Sequence, residues 1–389
     1  MAVAGLLVSV LVTLTSAFNL PNRSPGLFPR SSNARTPTAP FPGILSTSLG
    51  DVAVDVDNNT IKKLSAADGT VLWSASVVND NALAVDPVDL GVYTGYGSHN
   101  YGGSGTVYKY AADGTLAWTN SISVSGFCNF YYVSYAAVDT TSANAGVVWT
   151  QSGCYGGVAK TNRDTGVQQW SVLTNDIGRS SIDPVDGAIY DVTNAGANYN
   201  YDTLYIVSAD GTTVNPFTSC EGYTDLNPAD GMLYRGGNTG SSGCGLILSQ
   251  IDKSDPGSTN WDMDLSAYIT SFDALAVQPW SGGYIYVASA GSSEIVVVDP
   301  ATQTVVRTFI TTATPNNIAV NPINGNVYIT DGSSHFVYAY SATGALVWTS
   351  PDLGGAAGGI AAPRAVAPAP RPTPRPRPTP HLRPTPPRP

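Results

Sequence analysis

The sequence predicts an all-β protein folded as a seven-bladed β-propeller with four-stranded blades. Three observations predict this fold class. Glycine and proline are abundant, with 40 and 28 of the 389 residues, and short runs of β-branched and aromatic residues alternate with turn sequences. Two turn motifs also recur along the chain at an interval of about 46 residues, which is the length of one four-stranded blade.

The first motif is a turn around a glycine, followed by an aromatic residue, as in AADGTVLW at 66–73. The glycine position recurs at residues 69, 114, 166, 211, 257, 303 and 344, with glutamine at 303. Five copies end in tryptophan: Trp73, Trp118, Trp170, Trp261 and Trp348. Because each ring is large, we expect these tryptophans to be buried between neighbouring blades rather than to stack on a ligand.

The second motif alternates with the first and is centred on a proline, as in AVDPVDLGVY at 84–93 and AVNPINGNVY at 319–328. Proline presets φ and glycine supplies a positive φ, so the motif is typical of a hairpin turn. Each repeat therefore consists of an inner hairpin around the proline turn and an outer hairpin around the glycine turn.

The two motifs are out of phase at the ends of the repeat region. The region starts with a glycine turn at Gly69, and it ends with GGIAAP at 358–363, which matches the front half of a proline turn. We therefore expect the C-terminal strand to complete the blade begun by residues 51–76. Such a composite blade would close the ring of a propeller spanning 45–363 and remove its open edges.

Residues 283–340 resemble the YVTN type of propeller repeat, and the glycine–tryptophan turns resemble the tryptophan-docking motif of PQQ-type repeats. The resemblance implies a fold more than a function, because propellers host many unrelated activities. PQQ-dependent enzymes with this motif also use adjacent cysteines and a calcium site. This chain has no adjacent cysteines, so we predict no cofactor.

The charge is distributed unevenly along the chain. All 28 acidic residues lie between Asp51 and Asp352, where the net charge is −19, and basic segments flank this region on both sides. An acidic body argues against nucleic-acid binding. We interpret the many aspartates as turn residues; calcium loops are the alternative, but no clustered D-x-D-x-D-G spacing is present.

The N-terminal 17 residues have a short apolar run followed by small residues, which predicts a signal peptide and a secreted protein. No other segment is a candidate transmembrane span. Residues 18–44 are rich in proline and poor in hydrophobic residues, so we expect an extended arm. Asn22 and Asn58 stand in N-glycosylation sequons.

Four cysteines are present: Cys128, Cys154, Cys220 and Cys244. An even number in a secreted chain favours disulfides, and the absence of a C-x-x-C pair argues against zinc. Three pairings are possible. The repeat favours Cys128–Cys154 and Cys220–Cys244, since each pair would flank one inner hairpin.

The sequence contains no recognisable catalytic motif. Its three histidines are scattered, and the sequences H-E-x-x-H, G-x-S-x-G and the phosphate-binding loop are missing. We therefore predict no enzyme activity and no metal site. A ligand in the central channel of the propeller is the alternative.

Residues 364–389 form a basic tail with proline at nearly every second position, which favours polyproline II. Its arginines include Arg371, Arg375, Arg377, Arg383 and Arg388. The P-T-P units at Thr373, Thr379 and Thr385 resemble glycosylated, hydroxyproline-rich stalks of algal and plant surface proteins. A linker or cell-wall tether is one interpretation of the tail, and a strut that joins subunits is another.

From these features we predict a secreted, structural protein that self-assembles head to tail into a glycosylated surface filament or coat. The basic tail of one subunit would dock on the acidic propeller of the next. The alternative is a secreted binding module for a glycan or protein, and a propeller enzyme is the weakest hypothesis.

Overall fold

The computed structural model describes residues 50–364, except for 57–58, 78–81, 98–103, 124–131, 142–144, 153–155, 175–179, 193–201, 220–221, 238–244 and 281. The chain divides into two units, 1–38 and 39–389, and all the described residues belong to the second. These residues form 28 strands arranged in seven four-stranded antiparallel sheets, so the predicted seven-bladed propeller is confirmed.

Each sheet is one blade, and its strands are called A to D from the inside of the ring outwards. Blade 1 comprises β28 (Ala357–Ala361), β1 (Val52–Val56), β2 (Thr60–Leu64) and β3 (Val71–Ser76). Blade 2 comprises β4 (Ala82–Val85), β5 (Val92–Gly97), β6 (Gly105–Tyr110) and β7 (Leu116–Ile122). Blade 3 comprises β8 (Tyr132–Asp139), β9 (Gly146–Ser152), β10 (Gly157–Asn162) and β11 (Gln168–Leu173).

The remaining four blades follow in chain order. Blade 4 comprises β12 (Ser180–Ile182), β13 (Ile189–Val192), β14 (Asp202–Val207) and β15 (Val214–Ser219). Blade 5 comprises β16 (Tyr223–Leu226), β17 (Leu233–Gly237), β18 (Ile247–Ile251) and β19 (Thr259–Asp264). Blade 6 comprises β20 (Ala274–Val277), β21 (Ile285–Ser289), β22 (Glu294–Asp299) and β23 (Thr304–Ile310). Blade 7 comprises β24 (Asn317–Val320), β25 (Val327–Thr330), β26 (Tyr338–Tyr340) and β27 (Leu346–Thr349).

Ring closure follows the predicted composite blade. The C-terminal strand β28 pairs antiparallel with the first strand β1, with Ala53 opposite Ala361 and Val54 opposite Ile360. The edge of β1 that would otherwise be open is thus paired, which removes a site for aggregation. The last strand and the first hairpin also share a buried core, which includes Val54 and Ala357.

The tryptophans pack against the glycine turns of the next blade as predicted, with Trp348 buried and Trp73, Trp118 and Trp170 half-buried. The indole of Trp73 donates a hydrogen bond to the carbonyl of Ala112 in the next blade (2.9 Å). A Cβ placed on Gly114 would lie 2.8 Å from the Trp73 ring. Two requirements therefore favour glycine at position 114: its φ of 88°, and the close approach of the Trp73 ring, which leaves no space for a Cβ.

The same contact recurs around the ring and across the closure. Trp118 lies on Gly166, Trp170 on Gly211, and Trp348 of blade 7 on Gly69 of blade 1. In blade 6 a phenylalanine, Phe309, contacts Gly344 instead. Blade 4 carries Asn215 at the tryptophan position, and no ring lies within 4 Å of a Cβ placed on Gly257 in blade 5. The tightly packed glycine is found where the preceding blade supplies a ring.

The hairpin turns lie on the two faces of the disc. The A–B and C–D turns share one face, and the B–C and D–A connections share the other, because successive strands run in opposite directions. Contacts between an A–B turn and a neighbouring strand confirm this arrangement, as with the ammonium group of Lys63, which donates to the carbonyl of Leu90 (3.0 Å). We call the face of the A–B and C–D turns the aspartate face, because many aspartates lie in these turns.

Candidate functional site at the channel mouth

The aspartate face carries half of the acidic residues of the chain. Fourteen aspartates lie in its turns or at the adjoining strand ends: Asp51, Asp68, Asp86, Asp89, Asp113, Asp139, Asp164, Asp183, Asp186, Asp210, Asp230, Asp252, Asp255 and Asp299. Eight of these are exposed: Asp68, Asp89, Asp113, Asp164, Asp186, Asp210, Asp230 and Asp255. The acidity inferred from composition is therefore concentrated on one surface.

Many of these aspartates cap their own turns, as the sequence analysis predicted. In the C–D turn of blade 1, the Asp68 carboxylate accepts hydrogen bonds from the backbone N–H (3.1 Å) and hydroxyl (2.8 Å) of Thr70. Asp113 and Asp210 make the same contacts with Thr115 and Thr212. Bonds from hydroxyl and backbone donors lower the pKa of Asp68, Asp113 and Asp210, to about 2 for Asp210. These carboxylates thus stay ionised well into acid.

Three of the four lysines on this face form ion pairs with its aspartates, and the fourth, Lys63, donates to the carbonyl of Leu90. Lys160 and Asp139 form a fully buried ion pair of 2.5 Å within blade 3. The equivalent lysine of blade 2, Lys109, binds a different turn residue, Asp89, at the same distance, and the Asp89 side chain is 42% exposed. Lys253 of blade 5 reaches across to Asp183 of blade 4. The exposed aspartates therefore dominate the charge that this face presents to solvent.

The central channel opens at the same face. Its walls are the A strands, and a cavity of about 170 Å³ lies inside, lined mainly by small and aliphatic side chains. At the mouth, four A–B turns bring prolines inward, and Pro363 after the closing strand β28 adds a fifth; the four are Pro87, Pro184, Pro228 and Pro279. Tyr135, Thr224 and Asn317 supply polar groups to the channel.

One ion pair crosses this channel. The guanidinium of Arg364, which directly follows the closing strand β28 and Pro363, binds the carboxylate of Asp225 on the A strand of blade 5. The other oxygen of Asp225 accepts a hydrogen bond from the backbone N–H of Val277 in blade 6 (2.7 Å). The Asp225 side chain is 5% exposed, so its charge depends on these partners.

Asp225 stands out from the residues at the same place in other blades. In the A–B turns of blades 2, 4, 5, 6 and 7 a polar residue directly precedes the proline, and Asp225 stands two positions before that residue in blade 5. The residue at the corresponding position is Ala84 in blade 2, Ser181 in blade 4, Ala276 in blade 6 and Ala319 in blade 7. Among the blades compared, only blade 5 thus has a charged side chain, Asp225, at this place in the channel wall, and this side chain faces Arg364.

Both arms join the propeller at the aspartate face. Gly50 precedes the B strand β1, and its carbonyl accepts a hydrogen bond from the Tyr328 hydroxyl of blade 7 (3.1 Å). Arg364 leaves the ring at the channel mouth. The C-terminal tail therefore begins near the centre of the acidic surface.

Several predicted site residues lie outside the described part of the chain. These are the four cysteines Cys128, Cys154, Cys220 and Cys244, the sequon residues Asn22 and Asn58, the tail threonines Thr373, Thr379 and Thr385, and the arginines Arg371, Arg375, Arg377, Arg383 and Arg388. The disulfide pairing, the glycosylation, the signal peptide and both Pro-rich arms stay predictions. The described strands next to Cys128 and Cys154 do pair with each other, with Tyr132 opposite Ser152.

Two absences apply to the described residues alone. Within them, no group of three or more His, Cys, Asp or Glu side chains is arranged to hold a metal ion. In the same part of the chain, no helix is long and apolar enough to cross a membrane.

Sequence reasoning missed the channel ion pair and the lysine–aspartate pairs. A signal for the lysines was present, because Lys63, Lys109 and Lys160 stand directly opposite Trp73, Trp118 and Trp170 on the C and D strands. A lysine nine or ten residues before the docking tryptophan therefore recurs in three successive blades.

Comparison with known proteins supports the repeat type. Residues 57–215 match the PQQ-type repeat model described as outer membrane protein assembly factor BamB. This match covers less than half of the chain, so it shows a likeness of repeats in blades 1 to 4. No curated protein sequence matches the chain.

Solved structures with a similar fold are distant in sequence. A functionally unknown protein from Desulfotomaculum acetoxidans DSM 771 has a TM-score of 0.58 and 14% identity, over 81% of this chain and 98% of its own. A chain of the mitotic checkpoint complex has a TM-score of 0.56 and 13% identity, over 86% and 91%. At such identities the likeness concerns the fold alone.

Proposed function

We propose that this protein is an extracellular structural subunit that assembles through its basic, proline-rich tail, which docks on the aspartate face of a neighbouring propeller. The observation that carries the proposal is the origin of the tail: the chain leaves the ring at the mouth of the channel, where Arg364 is bound to Asp225. The subunits would form a surface filament or coat, and the sequons and P-T-P units would carry glycans.

Charge complementarity supports this docking. The aspartate face has fourteen acids and seven Lys or Arg residues, which are Lys63, Lys109, Lys160, Arg163, Lys253, Arg307 and Arg364. The segment beyond Arg364 has five arginines and no acid. Exposed ion pairs contribute about 0.2–1 kcal/mol each, so several are needed to give a useful affinity, and a tail with repeated arginines supplies them.

The length of the tail favours a neighbour over the subunit's own face. A compact body of about 315 residues has a radius of gyration of about 20 Å, so its face extends about 25 Å from the axis. At about 3.1 Å per residue, an extended tail places Arg375 about 34 Å and Arg388 about 74 Å from Arg364. Most of the arginines then lie beyond the rim of their own disc and within reach of the next.

A contact of this kind is heterologous, since the tail of one subunit meets the face of another. Heterologous contacts build open chains when they do not close into a ring. The tail starts from a fixed point on the ring, and its prolines restrict its conformation before it docks. Both properties lower the conformational entropy that is lost on docking. These properties suit an assembly protein.

A ligand-binding module is the second candidate, and the cavity in the channel is the observation that favours it. A cavity of about 170 Å³ is smaller than the pockets of about 300–1,000 Å³ that hold drug-sized ligands. Arg364 also occupies the mouth on the aspartate face. The structure thus leaves room for a small ligand at most, and the assembly function has the stronger support.

The assembly proposal predicts that the full-length chain forms large particles that depend on the tail arginines. Replacing Arg371, Arg375, Arg377, Arg383 and Arg388 with glutamine should leave a folded monomer, because the glutamines keep the length but remove the charge. The matched control replaces the same five residues with lysine and should still assemble. Sedimentation velocity and negative-stain electron microscopy at about 50 mM salt would measure the particles, and circular dichroism would check folding.

Salt should dissolve the particles of the unmodified chain. At about 1 M salt the Debye length falls to about 3 Å, which screens exposed charges. Assembly of the glutamine variant, or a full-length chain that stays monomeric at low salt, would overturn the proposal.

A further inference from the structure

We propose that the channel mouth is a receptor for a single proline-flanked arginine, and that Pro363–Arg364 occupies it in the chain's own propeller. The site has a carboxylate for the guanidinium, a backbone N–H that orients this carboxylate, and a ring of prolines at the entrance. The Pro-Arg pair is thus the unit that a propeller recognises. This recognition holds for the chain's own tail whether or not the subunits assemble.

The carboxylate of Asp225 is the centre of the receptor. One of its oxygens binds Arg364, while the other accepts the backbone N–H of Val277 from the next blade (2.7 Å). A buried carboxylate held in this way prefers a guanidinium, because charge-assisted hydrogen bonds are about twice as strong as neutral ones. The small residues at this place in the two adjoining blades, Ser181 and Ala276, leave room for the incoming side chain.

The entrance suits proline on the incoming chain. Pro87, Pro184 and Pro228 from three A–B turns line the mouth together with Arg364. Pro363, which precedes the bound arginine, also lines the channel. Proline lacks an N–H, so a Pro-Arg unit can lie in this apolar ring with one fewer backbone donor to satisfy.

The tail repeats the bound unit. The tripeptide Ala362-Pro363-Arg364 recurs as residues 369–371, and further Pro-Arg pairs stand at 374–375, 376–377 and 387–388. A neighbour's tail therefore presents the same ligand that the receptor holds in its own chain. That second role rests on the proposed function, and it requires the neighbour's unit to displace Arg364.

Trypsin cleavage of the full-length chain tests whether Arg364 is held. Each of the five later arginines is followed by proline, and trypsin does not cleave before proline. Arg364–Ala365 is thus the one trypsin site in the tail. We expect this bond to be protected in the unmodified chain and to be cut at least tenfold faster in the Asp225→Asn variant. Asparagine loses the charge, and although its carbonyl oxygen can still accept the N–H of Val277, it loses the bond from the N–H of Leu226. Asp186→Asn, an exposed change on the same face, is the matched control and should be cut at the unmodified rate.

Binding of an added ligand tests the receptor directly. The protein is the full-length chain with Arg364→Ala and with Arg30 of the Pro29-Arg30 pair and the five later arginines replaced by glutamine, so that it holds no other Pro-Arg unit and does not assemble. Calorimetric titration with N-acetyl-Pro-Arg-amide should give a Kd on the order of 1 mM, as expected for one charged contact. Adding Asp225→Asn should weaken binding at least tenfold, and N-acetyl-Pro-Lys-amide should bind more weakly than the arginine ligand.

Equal cleavage of the unmodified and Asp225→Asn chains would overturn the inference, as would dipeptide binding that is unchanged by Asp225→Asn. If Arg364→Ala fails to fold, the uncharged Arg364→Gln replaces it in the titration, and the cleavage test stands without either variant. If the receptor tests succeed while the full-length chain stays monomeric, the assembly proposal fails and the receptor remains.

Discussion

Replacing Lys160 with methionine should lower the free energy of unfolding by about 3–5 kcal/mol, because it leaves a buried charge without its partner. Lys160 and Asp139 are both 0% exposed, and their ion pair measures 2.5 Å. Methionine keeps the apolar length of lysine, so the loss reports the charge. Urea unfolding followed by tryptophan fluorescence would measure the change.

The neighbouring blade offers a matched control for this prediction. Lys109 is the equivalent lysine of blade 2 and binds Asp89 of the A–B turn at the same distance of 2.5 Å, but Asp89 is 42% exposed and can be hydrated when its partner is lost. Lys109→Met should therefore cost about 1 kcal/mol or less. Adding Asp139→Asn to Lys160→Met should recover part of the loss, because asparagine still accepts the bond from the N–H of Thr141 (2.8 Å). Equal effects of Lys160→Met and Lys109→Met would contradict the account.

Trp348→Ala should cost about 3–5 kcal/mol, the range for removing a large buried aromatic side chain. Trp348 is 8% exposed, packs on Gly69, and donates its indole N–H to the carbonyl of Ala66 (3.1 Å). This contact joins the last blade to the first, so its loss weakens the closure of the ring. Differential scanning calorimetry would measure the loss as a fall in melting temperature.

Two further variants separate packing at this junction from other effects. Trp348→Phe keeps a ring but loses the indole hydrogen bond, so it should cost less than alanine. Gly69→Ala should cost more than Gly354→Ala, although both glycines have a positive φ. A Cβ on Gly69 would lie 2.6 Å from the Trp348 ring, whereas nothing lies within 4 Å at Gly354. Equal losses for the two glycine variants would contradict the docking role of Gly69.

The repeat made the architecture predictable from the sequence. The spacing of the glycine and proline turns predicts seven blades, and the phase shift between Gly69 and the segment 358–363 predicts that β28 completes blade 1. These inferences work because each blade repeats the same local chemistry. A turn glycine and a trailing tryptophan are short-range signals.

The channel site was not predictable in the same way. Asp225 and Arg364 lie on different blades, and their meeting depends on where the closing strand ends relative to a blade on the far side of the ring. Asp225 looked like another turn aspartate, although it lies within an A strand. Pairs such as Lys253 and Asp183 join neighbouring blades and likewise follow from the packing of blades rather than from local sequence.

Binding of the isolated tail to the aspartate face tests the central claim most directly. The receptor is the full-length chain with its five tail arginines replaced by glutamine, and the ligand is a fluorescent peptide of residues 365–389. Fluorescence anisotropy at about 50 mM salt should show saturable binding that weakens as salt rises. The variant Asp68→Asn/Asp113→Asn/Asp210→Asn should bind at least tenfold more weakly, because three of the exposed carboxylates that would meet the tail arginines lose their charge.

The matched control neutralises three acids on the opposite face, Asp264→Asn/Glu294→Gln/Asp352→Asn, and should bind the peptide as the unmodified face does. Binding that is lost equally in the two triple variants, or no saturable binding at low salt, would contradict the claim that the tail recognises the aspartate face.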